Sequence, residues 1–176
     1  MNPIKNFFKF LEDKEGKTPP ISLKFIYDQE SLTPEDLDVR GSLNLEETSI
    51  TSLPDNLNVW NNLYLRHTKI TSLPNNLKVG HSLDLRDTNI TSLPNNLEVG
   101  GSLDLMSSKI TSLPDNLRVG GNLYLEGTLI SSLPNKLRVK GNLHLHNTPL
   151  ARKHTTWEIK KMIEDKGGSI EEKIHR

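Results

Sequence analysis

The sequence contains no cysteine, few aromatic residues and no long apolar run, and each absence removes a class of structure. Without cysteine the chain has no disulfides, no thiolate metal sites and no cysteine nucleophile. Aromatic residues are only 5% of the chain and hydrophobic residues 34%, which disfavours a globule built around aromatic side chains. The segment 1–16 lacks the apolar run of a secretory signal or a membrane-spanning helix. We therefore expect a soluble, cytoplasmic protein without a membrane partner.

An excess of one charge sign is also missing, since 22 basic residues balance 22 acidic ones among 176 residues. Bulk attraction to nucleic acid is therefore not expected. The distribution is uneven, because residues 28–55 hold eight acids against Arg40 alone. Residues 127–157 contain no acid but include five basic residues, namely Lys136, Arg138, Lys140, Arg152 and Lys153.

A gapless repeat of 20 residues organises most of the chain. Its pattern is L-P-x-N-L-x-V-x-x-x-L-x-L-x-x-T-x-I-T-S, and six copies begin at Thr33, Leu53, Leu73, Leu93, Leu113 and Leu133. No single copy can bury its own apolar face, so the copies must stack into a solenoid. We predict an N-terminal cap over 1–32, six repeats over 33–150 and a C-terminal cap over 151–176.

Each L-x-L pair, such as Leu83 and Leu85, has the period-two spacing of a short strand with leucines inward. Stacked copies would form one parallel sheet with neighbouring strands about 4.8 Å apart. The proline column, one residue per copy from Pro34 to Pro134, forbids a helix on the opposite side and favours extended, polyproline-like backbone.

Two further columns predict the turns on either side of each strand. Gly41, Gly101, Gly121 and Gly141 mark a turn before the strand, where we expect positive φ. The threonine column should form a buried ladder of hydroxyls that satisfies backbone groups after the strand; it consists of Thr48, Thr68, Thr88, Ser108, Thr128 and Thr148.

The phrase L-x-x-T-x-I-T-S-L-P resembles bacterial and phage leucine-rich-repeat proteins with short, 20-residue repeats, and more distantly the repeat domains of secreted bacterial effectors. The resemblance covers Thr33 to Leu150. It implies a leucine-rich-repeat solenoid with the sheet on a concave face that binds a partner. In those effectors the threonine column is usually asparagine, and this chain lacks the cysteine of their ubiquitin-ligase domains.

Both ends have the sequence features of helical caps. Asn2 and Pro3 favour a helix over about 3–15, with Ile4, Phe7, Phe8 and Leu11 on one face and a stop at Gly16. The segment 21–27 is interpreted as a strand extending the sheet. Thr155 and Glu158 have capping-box spacing before a helix over about 156–166, with Trp157, Met162 and Ile163 as its core contacts.

The outward columns of the predicted sheet are the candidate partner-binding face. Core columns hardly vary, whereas these positions change chemistry from copy to copy and include types that anchor interfaces. The alternative is that any exposed strand carries mixed side chains, with tyrosine favoured by β-propensity. The candidate residues are Tyr64, Arg66, His67, Asp84, Arg86, Asp104, Met106, Tyr124, His144 and His146.

Two pairs within this face have alternative chemical interpretations. Asp84 and Asp104 should lie about 5 Å apart, a spacing that also suits glycosidase carboxylates; a salt bridge to Arg66 or Arg86 is the simpler account. His144 and His146 share a face, but the spacing fixes no third metal ligand. We therefore predict no catalytic residues, no metal and no cofactor.

Secondary candidates lie outside that face. The basic end, Lys136, Arg138, Lys140, Arg152 and Lys153, would bind nucleic acid or another polyanion, or pair with the acidic first coil of a second copy. Trp60 replaces a glycine of the following copies, and is either an interface residue or packed on Arg40.

No phosphate-binding loop, nucleophile elbow or His-Glu-x-x-His motif is present. The sequence predicts a non-enzymatic protein-binding module, monomeric or a small homo-oligomer. The resemblance implies a bacterial or phage protein that binds and blocks a host protein; docking on a larger particle is the structural alternative.

Overall fold

A computed structural model describes residues 3–15, 20–95 and 97–176. The chain forms a parallel-strand solenoid with four helices and fourteen two-residue strands among these residues. The helices are α1 (Pro3–Glu15), α2 (Ile21–Tyr27), α3 (Pro149–Lys153) and α4 (Thr156–Asp165), with a short 3-10 helix at Gln29–Ser31. Asn2, Gly16 and the side chain of Ile4, which the helix prediction used, lie outside the described part of the chain.

Each coil contributes two strands, and these form two parallel sheets rather than one. The expectation of a single sheet is therefore wrong. The missed strand is an L-x-V segment such as Leu57-Asn58-Val59, whose period-two spacing is the same as that of the L-x-L segment. Val59 and its equivalents are buried, while Asn58 and its equivalents face outward.

The strands alternate between the two sheets along the chain. The L-x-V sheet contains β1 (Asp38–Val39), β3 (Asn58–Val59), β5 (Lys78–Val79), β7 (Glu98–Val99), β9 (Arg118–Val119), β11 (Arg138–Val139) and β13 (Ser169–Ile170). The L-x-L sheet contains β2 (Leu43–Asn44), β4 (Leu63–Tyr64), β6 (Leu83–Asp84), β8 (Leu103–Asp104), β10 (Leu123–Tyr124), β12 (Leu143–His144) and β14 (Ile174–His175).

The core lies between the sheets and is built from the same columns in every coil. In the second coil Leu57, Val59, Leu63, Leu65 and Ile70 are all fully buried. The return segments that follow β2, β4, β6, β8 and β10 contain no helix among the described residues, as the proline column predicts, whereas α3 and α4 lie between β12 and β13.

The threonine column is confirmed as a hydroxyl ladder. Thr68 and Thr88 are buried, and each donates its hydroxyl over 2.7 Å to the carbonyl three residues earlier. Thr48, Thr128 and Thr148 make the same bond. Ser108 is the exception, because its buried Oγ has no hydrogen-bond partner.

The expected positive φ of the glycine column is wrong. Left-handed backbone occurs instead at the turn after each of the first six L-x-L strands, including His67 (φ 54°) and Gly127 (φ 70°), and at the turn before several L-x-V strands, as at Asn56 (φ 63°). Three of these glycines serve close packing, because a Cβ would lie 2.8 Å from Ser82 Oγ on Gly101, 2.7 Å from Ser102 Oγ on Gly121 and 2.3 Å from Asn122 Oδ1 on Gly141. Gly41 of the first coil is the exception, since a Cβ there would meet nothing within 4 Å.

The N-terminal segment differs from its prediction over 21–27, which forms α2 rather than a strand. Phe25 is fully buried, and Ile21 and Ile26 pack against the core, so one helical face is apolar. Helix α2 contacts β2 of the first coil. In α1, Phe8 is buried while Phe7 is half exposed.

The C-terminal helix matches its predicted range, and Thr155 and Glu158 form the predicted capping box. Its buried residues are Ile159 and Ile163, spaced by four, so Trp157 lies off the buried face and is 70% exposed. The core contact predicted for Trp157 is therefore wrong, and Met162 is partly buried.

The residues after α4 form an unpredicted seventh strand in each sheet. Ile170 pairs with Val139 and Ile174 with Leu143. Ile170 and Ile174 are four residues apart, the same spacing that separates Val139 from Leu143, so the sequence did contain the signal.

Candidate functional site

The residues that lie between the paired leucines form one continuous column across the L-x-L sheet. Parallel pairing places Tyr64 beside Asp84, Asp84 beside Asp104, Asp104 beside Tyr124, and Tyr124 beside His144. The column ends at His175 of β14, which pairs with His144 and was not predicted. The predicted candidate face is thus brought together by the register of the strands.

The next candidates occupy the turn that follows each strand. Arg66, Arg86 and Met106 are half buried, whereas His67 and His146 are exposed. They flank the column of Tyr64 to His144 along one side, so all ten candidates belong to one surface.

An ion-pair cluster occupies the centre of the column. Arg86 Nε lies 2.9 Å from Asp84 Oδ1 and 3.1 Å from Asp84 Oδ2, and 3.4 Å from Asp104 Oδ2. Asp84 is buried. The hydrogen bond and the negative charge of Asp84 raise the pKa of Arg86, so the guanidinium remains charged.

Arg86 lies farther from Asp104 than from Asp84, so it compensates the negative charge of Asp104 less well. Burial raises the pKa of Asp104 to about 6, and the charges of Asp84 and Glu126 act in the same direction, against a hydrogen bond from the Met106 amide and the charge of Arg86. Asp104 therefore holds a proton more readily than a solvated carboxylate.

Arg66 does not join this cluster, contrary to one part of the salt-bridge interpretation. Its Nε lies 3.8 Å from Asp87 Oδ2, and His67 Nε2 lies 3.7 Å from the same oxygen. Asp87 follows the next strand along the sheet, so Arg66 and His67 form a separate exposed group at the edge of the face.

Stacked rings occupy the C-terminal end of the column. The rings of Tyr124 and His144 have centroids 4.6 Å apart and an interplanar angle of 25°, and those of His144 and His175 have 4.6 Å and 12°. Asn122 donates to the Tyr124 hydroxyl over 2.8 Å. The stack fixes the orientation of the His144 ring.

Glu126 lies beside this stack. Its Oε1 is 3.5 Å from Nδ1 of His144, and one ligand atom each of Glu126, His144 and His146 lie within 4.8 Å of one another. Burial lowers the pKa of His144, opposed by the charge of Glu126 and helped by the neighbouring His175 and His146.

The small polar column before each first leucine is structural. Its side-chain oxygens accept a hydrogen bond from the backbone amide of the equivalent residue in the following coil, as Ser82 Oγ does from Ser102 at 3.1 Å and Asn122 Oδ1 from Asn142 at 2.8 Å. The last link runs from the Lys173 amide to Asn142 Oδ1 at 3.1 Å. This ladder ties the coils together.

Trp60 combines both interpretations given to it. The Arg40 guanidinium lies 4.8 Å from its ring centroid, and its Nε1 donates to Asp38 Oδ1 over 2.7 Å, yet the side chain is half exposed. The hydrogen bonds from Trp60 and Asn58 hold the pKa of Asp38 below its usual range. Trp60 follows β3 of the L-x-V sheet, away from the candidate column.

The five basic candidates fall on different elements. Arg138 lies in β11, with Lys140 just after it and Lys136 in the turn before it, whereas Arg152 and Lys153 lie in α3. Arg138 and Lys140 line a groove of about 880 Å³ on the L-x-V sheet. Its other charged lining residues are Lys78, Glu98, Arg118 and Glu171.

Besides His175, sequence reasoning missed Glu126 beside the stacked rings and Lys78 and Arg118 in the groove. Glu126 precedes His146 by 20 residues, so the repeat register alone places the two side chains on adjacent coils. Lys78 and Arg118 were missed because the L-x-V strand was not predicted as part of a sheet.

Comparison of the chain with protein-family models, curated proteins and solved structures finds no match. In the described parts of the chain, no helix combines the length and apolar character needed to cross a bilayer.

Proposed function

We propose that this chain is a non-enzymatic protein-binding module that uses the outer face of the L-x-L sheet. The observation that carries the proposal is the in-register column from Tyr64 to His144, whose members change chemistry from coil to coil. The leucines of the same strands are invariant and buried. Within these strands the variation is limited to the outward positions, as is typical of a surface that is fitted to a partner.

The chemistry of this face supports a protein partner. Tyr64 and Tyr124 stand three strands apart, about 14 Å at the usual strand spacing, with the Arg86–Asp84 ion pair between them. Aromatic anchors that flank a fixed charge pattern suit a protein interface of about 800 Å² per partner. Arg86 already occupies both carboxylates, which supports binding rather than acid–base catalysis.

A finer assignment, to leucine-rich-repeat proteins of bacteria or phages, belongs to the same proposal. It rests on the L-x-x-T-x-I-T-S-L-P phrase and on the parallel solenoid that this phrase builds. The biological role consistent with it is occupation and blocking of a host protein in the cytoplasm, by a monomer or small homo-oligomer.

The test is capture of a partner from a bacterial lysate by three forms of the chain. The native form is compared with Tyr64→Ala/Arg66→Ala/Tyr124→Ala and with Lys78→Ala/Glu98→Ala/Arg118→Ala, a matched triple on the L-x-V sheet. We expect a captured protein to be lost by the first variant and kept by the second, with both variants folded by circular dichroism. Equal capture by all three forms, or loss only with the second, contradicts the proposal.

A second candidate function is polyanion binding in the L-x-V groove. It is supported by Arg138 and Lys140, which line the groove together with Lys78 and Arg118. Glu98 weakens this candidate, since its Oε1 lies 3.4 Å from Arg118 Nε.

This candidate predicts binding of a labelled single-stranded oligonucleotide that falls steeply with salt. Arg138→Ala/Lys140→Ala should weaken that binding, while Arg152→Ala/Lys153→Ala should leave it unchanged. The reverse order would move the site to α3, and absence of binding at 50 mM salt would exclude this function.

A further inference from the structure

A cluster of two imidazoles and one carboxylate lies at the C-terminal end of the L-x-L sheet. Glu126 and His146 occupy the same turn position in consecutive coils, and His144 is two residues before His146. Their ligand atoms lie within 4.8 Å of one another. We propose that Glu126, His144 and His146 form a binding site for a divalent transition-metal ion such as Zn²⁺.

The donor set selects the class of ion. Two imidazole nitrogens and one carboxylate oxygen are ligands for zinc and its first-row neighbours, whereas Ca²⁺ and Mg²⁺ prefer oxygen alone. Three protein ligands leave one position of a tetrahedron for water or another ligand. The site therefore has the composition of an exchangeable zinc site.

The distances suit such an ion after a small adjustment. Bonds of about 2.0–2.2 Å in tetrahedral geometry place ligand atoms about 3.3–3.6 Å apart. His144 Nδ1 and Glu126 Oε1 are already 3.5 Å apart. The distances from His146 to the other two ligands must therefore shorten. His146 can move, because it is exposed at the turn after β12 and has no stacking partner among the described residues.

Two further observations favour a cation ligand at this site. Oε2 of Glu126 is buried and has no hydrogen-bond partner, an arrangement that costs free energy for a carboxylate. Among the described residues no lysine or arginine forms an ion pair with Glu126, while its charge acts on nearby Asp104. A bound dication would satisfy this carboxylate.

The His144 ring is already oriented in the metal-free protein. Stacking between Tyr124 and His175, both at 4.6 Å, limits rotation of the ring and keeps Nδ1 toward Glu126. A ligand that is already oriented loses less conformational entropy when it binds.

The test is titration of the untagged full-length chain with Zn²⁺ at pH 7.5, followed by isothermal calorimetry. Glu126→Gln and His146→Ala remove one ligand each and leave the ring stack intact. Glu46→Gln is the matched control, because Glu46 occupies the same turn position in the first coil without a histidine neighbour; His81→Ala controls for an exposed histidine elsewhere.

We expect one Zn²⁺ per native chain and a weakening of about 100-fold or more in Glu126→Gln and in His146→Ala, since even outer-shell changes cost about 10–100-fold. Both control variants should bind as the native chain does, and Ca²⁺ should not compete. Co²⁺ in place of Zn²⁺ should give the intense visible absorption of a four-coordinate ion.

Absence of binding at 100-fold excess of Zn²⁺ over a chain at about 20 µM, or equal affinity in Glu126→Gln, would overturn the proposal. Equal affinity in His146→Ala would do the same. The outcome is independent of whether the sheet face binds a protein, because the titration contains no partner.

Discussion

Arg86 and Asp84 form a two-point ion pair, in which Nε of Arg86 donates to Oδ1 of Asp84 over 2.9 Å and Nη2 donates to Oδ2. Asp84 is only 7% exposed, so its charge is poorly solvated without this partner. We predict that Arg86→Met lowers the free energy of unfolding by about 2–3 kcal/mol, less than the roughly 3–5 kcal/mol for breaking a fully buried pair, because the Arg86 side chain is 35% exposed. Urea denaturation at pH 7.5 measures the loss.

The control for this change is Arg66→Met, which removes a guanidinium 3.8 Å from the exposed Asp87. Exposed pairs contribute less than about 1 kcal/mol, so we expect a smaller loss. If both variants lose the same free energy, the burial of Asp84 is not what makes Arg86 important.

Asp104 gives a prediction for the dependence of stability on pH. Its pKa is raised to about 6 from 3.8, so between those values the native state holds a proton that the unfolded state has released. This group therefore stabilises the fold at low pH, and its contribution is lost as pH rises through 6. Asp104→Asn cannot ionise and should escape that loss.

We expect Asp104→Asn to exceed the native chain in free energy of unfolding by about 1–2 kcal/mol at pH 7.5, less than the roughly 3 kcal/mol of a fully buried two-unit shift because solvent screens part of it. The difference should disappear near pH 4. A variant that is less stable than the native chain at pH 7.5 would show that the Asp104 charge is needed by Arg86.

Ser108 is the one hydroxyl of the threonine column without a partner. Ser108→Thr should restore the bond to the Leu105 carbonyl that Thr88 makes to Leu85, because a β-branched side chain has fewer rotamers. We expect an increase of about 1 kcal/mol in the free energy of unfolding. Thr88→Ser is the reciprocal variant and should lose a similar amount; a loss in both variants would contradict the explanation.

Gly100 and Gly41 differ in what surrounds them. A Cβ on Gly100 would lie 2.0 Å from the Gly80 carbonyl oxygen, whereas a Cβ on Gly41 would meet nothing within 4 Å. Gly100→Ala should lower the midpoint of thermal unfolding, with a cost of about 1–3 kcal/mol for forced separation of the coils. Gly41→Ala should leave it unchanged or slightly higher, and similar losses in the two variants would argue against close packing as the cause.

The sequence determined the solenoid because its columns have one physical solution. Leucines at alternate positions such as Leu83 and Leu85 require an inward strand face, and Thr88 requires a nearby carbonyl. The same spacing in Leu77-Lys78-Val79 predicts the second sheet. The proline column predicts only extended backbone on that side of the coil, and this interpretation does not include a strand.

The secondary structure of the two ends is harder to predict, because these segments occur once and cannot be compared with other copies. The segment Ile21 to Tyr27 is apolar at both helical and strand spacings, and only packing on the first coil selects the helix. Trp157 was expected inside because of its type, but its helix buries Ile159 and Ile163.

The candidate face was predicted at the level of residues but not of contacts. Register alone placed Tyr64 beside Asp84. Spacing does not determine side-chain rotamers. The pairing of Arg86 with Asp84 and the contact of Glu126 with His144 depend on those rotamers.

The register of both sheets limits which insertions and deletions the fold can accept during evolution. The six repeats pair with one another through residues 20 positions apart, as Leu83 pairs with Leu103. Duplication or loss of one whole coil therefore preserves every remaining pairing, whereas insertion of a single residue shifts a strand to the wrong face. Proteins derived from this chain should therefore differ in length by whole coils, and the width of the L-x-L sheet should change by one strand for each coil.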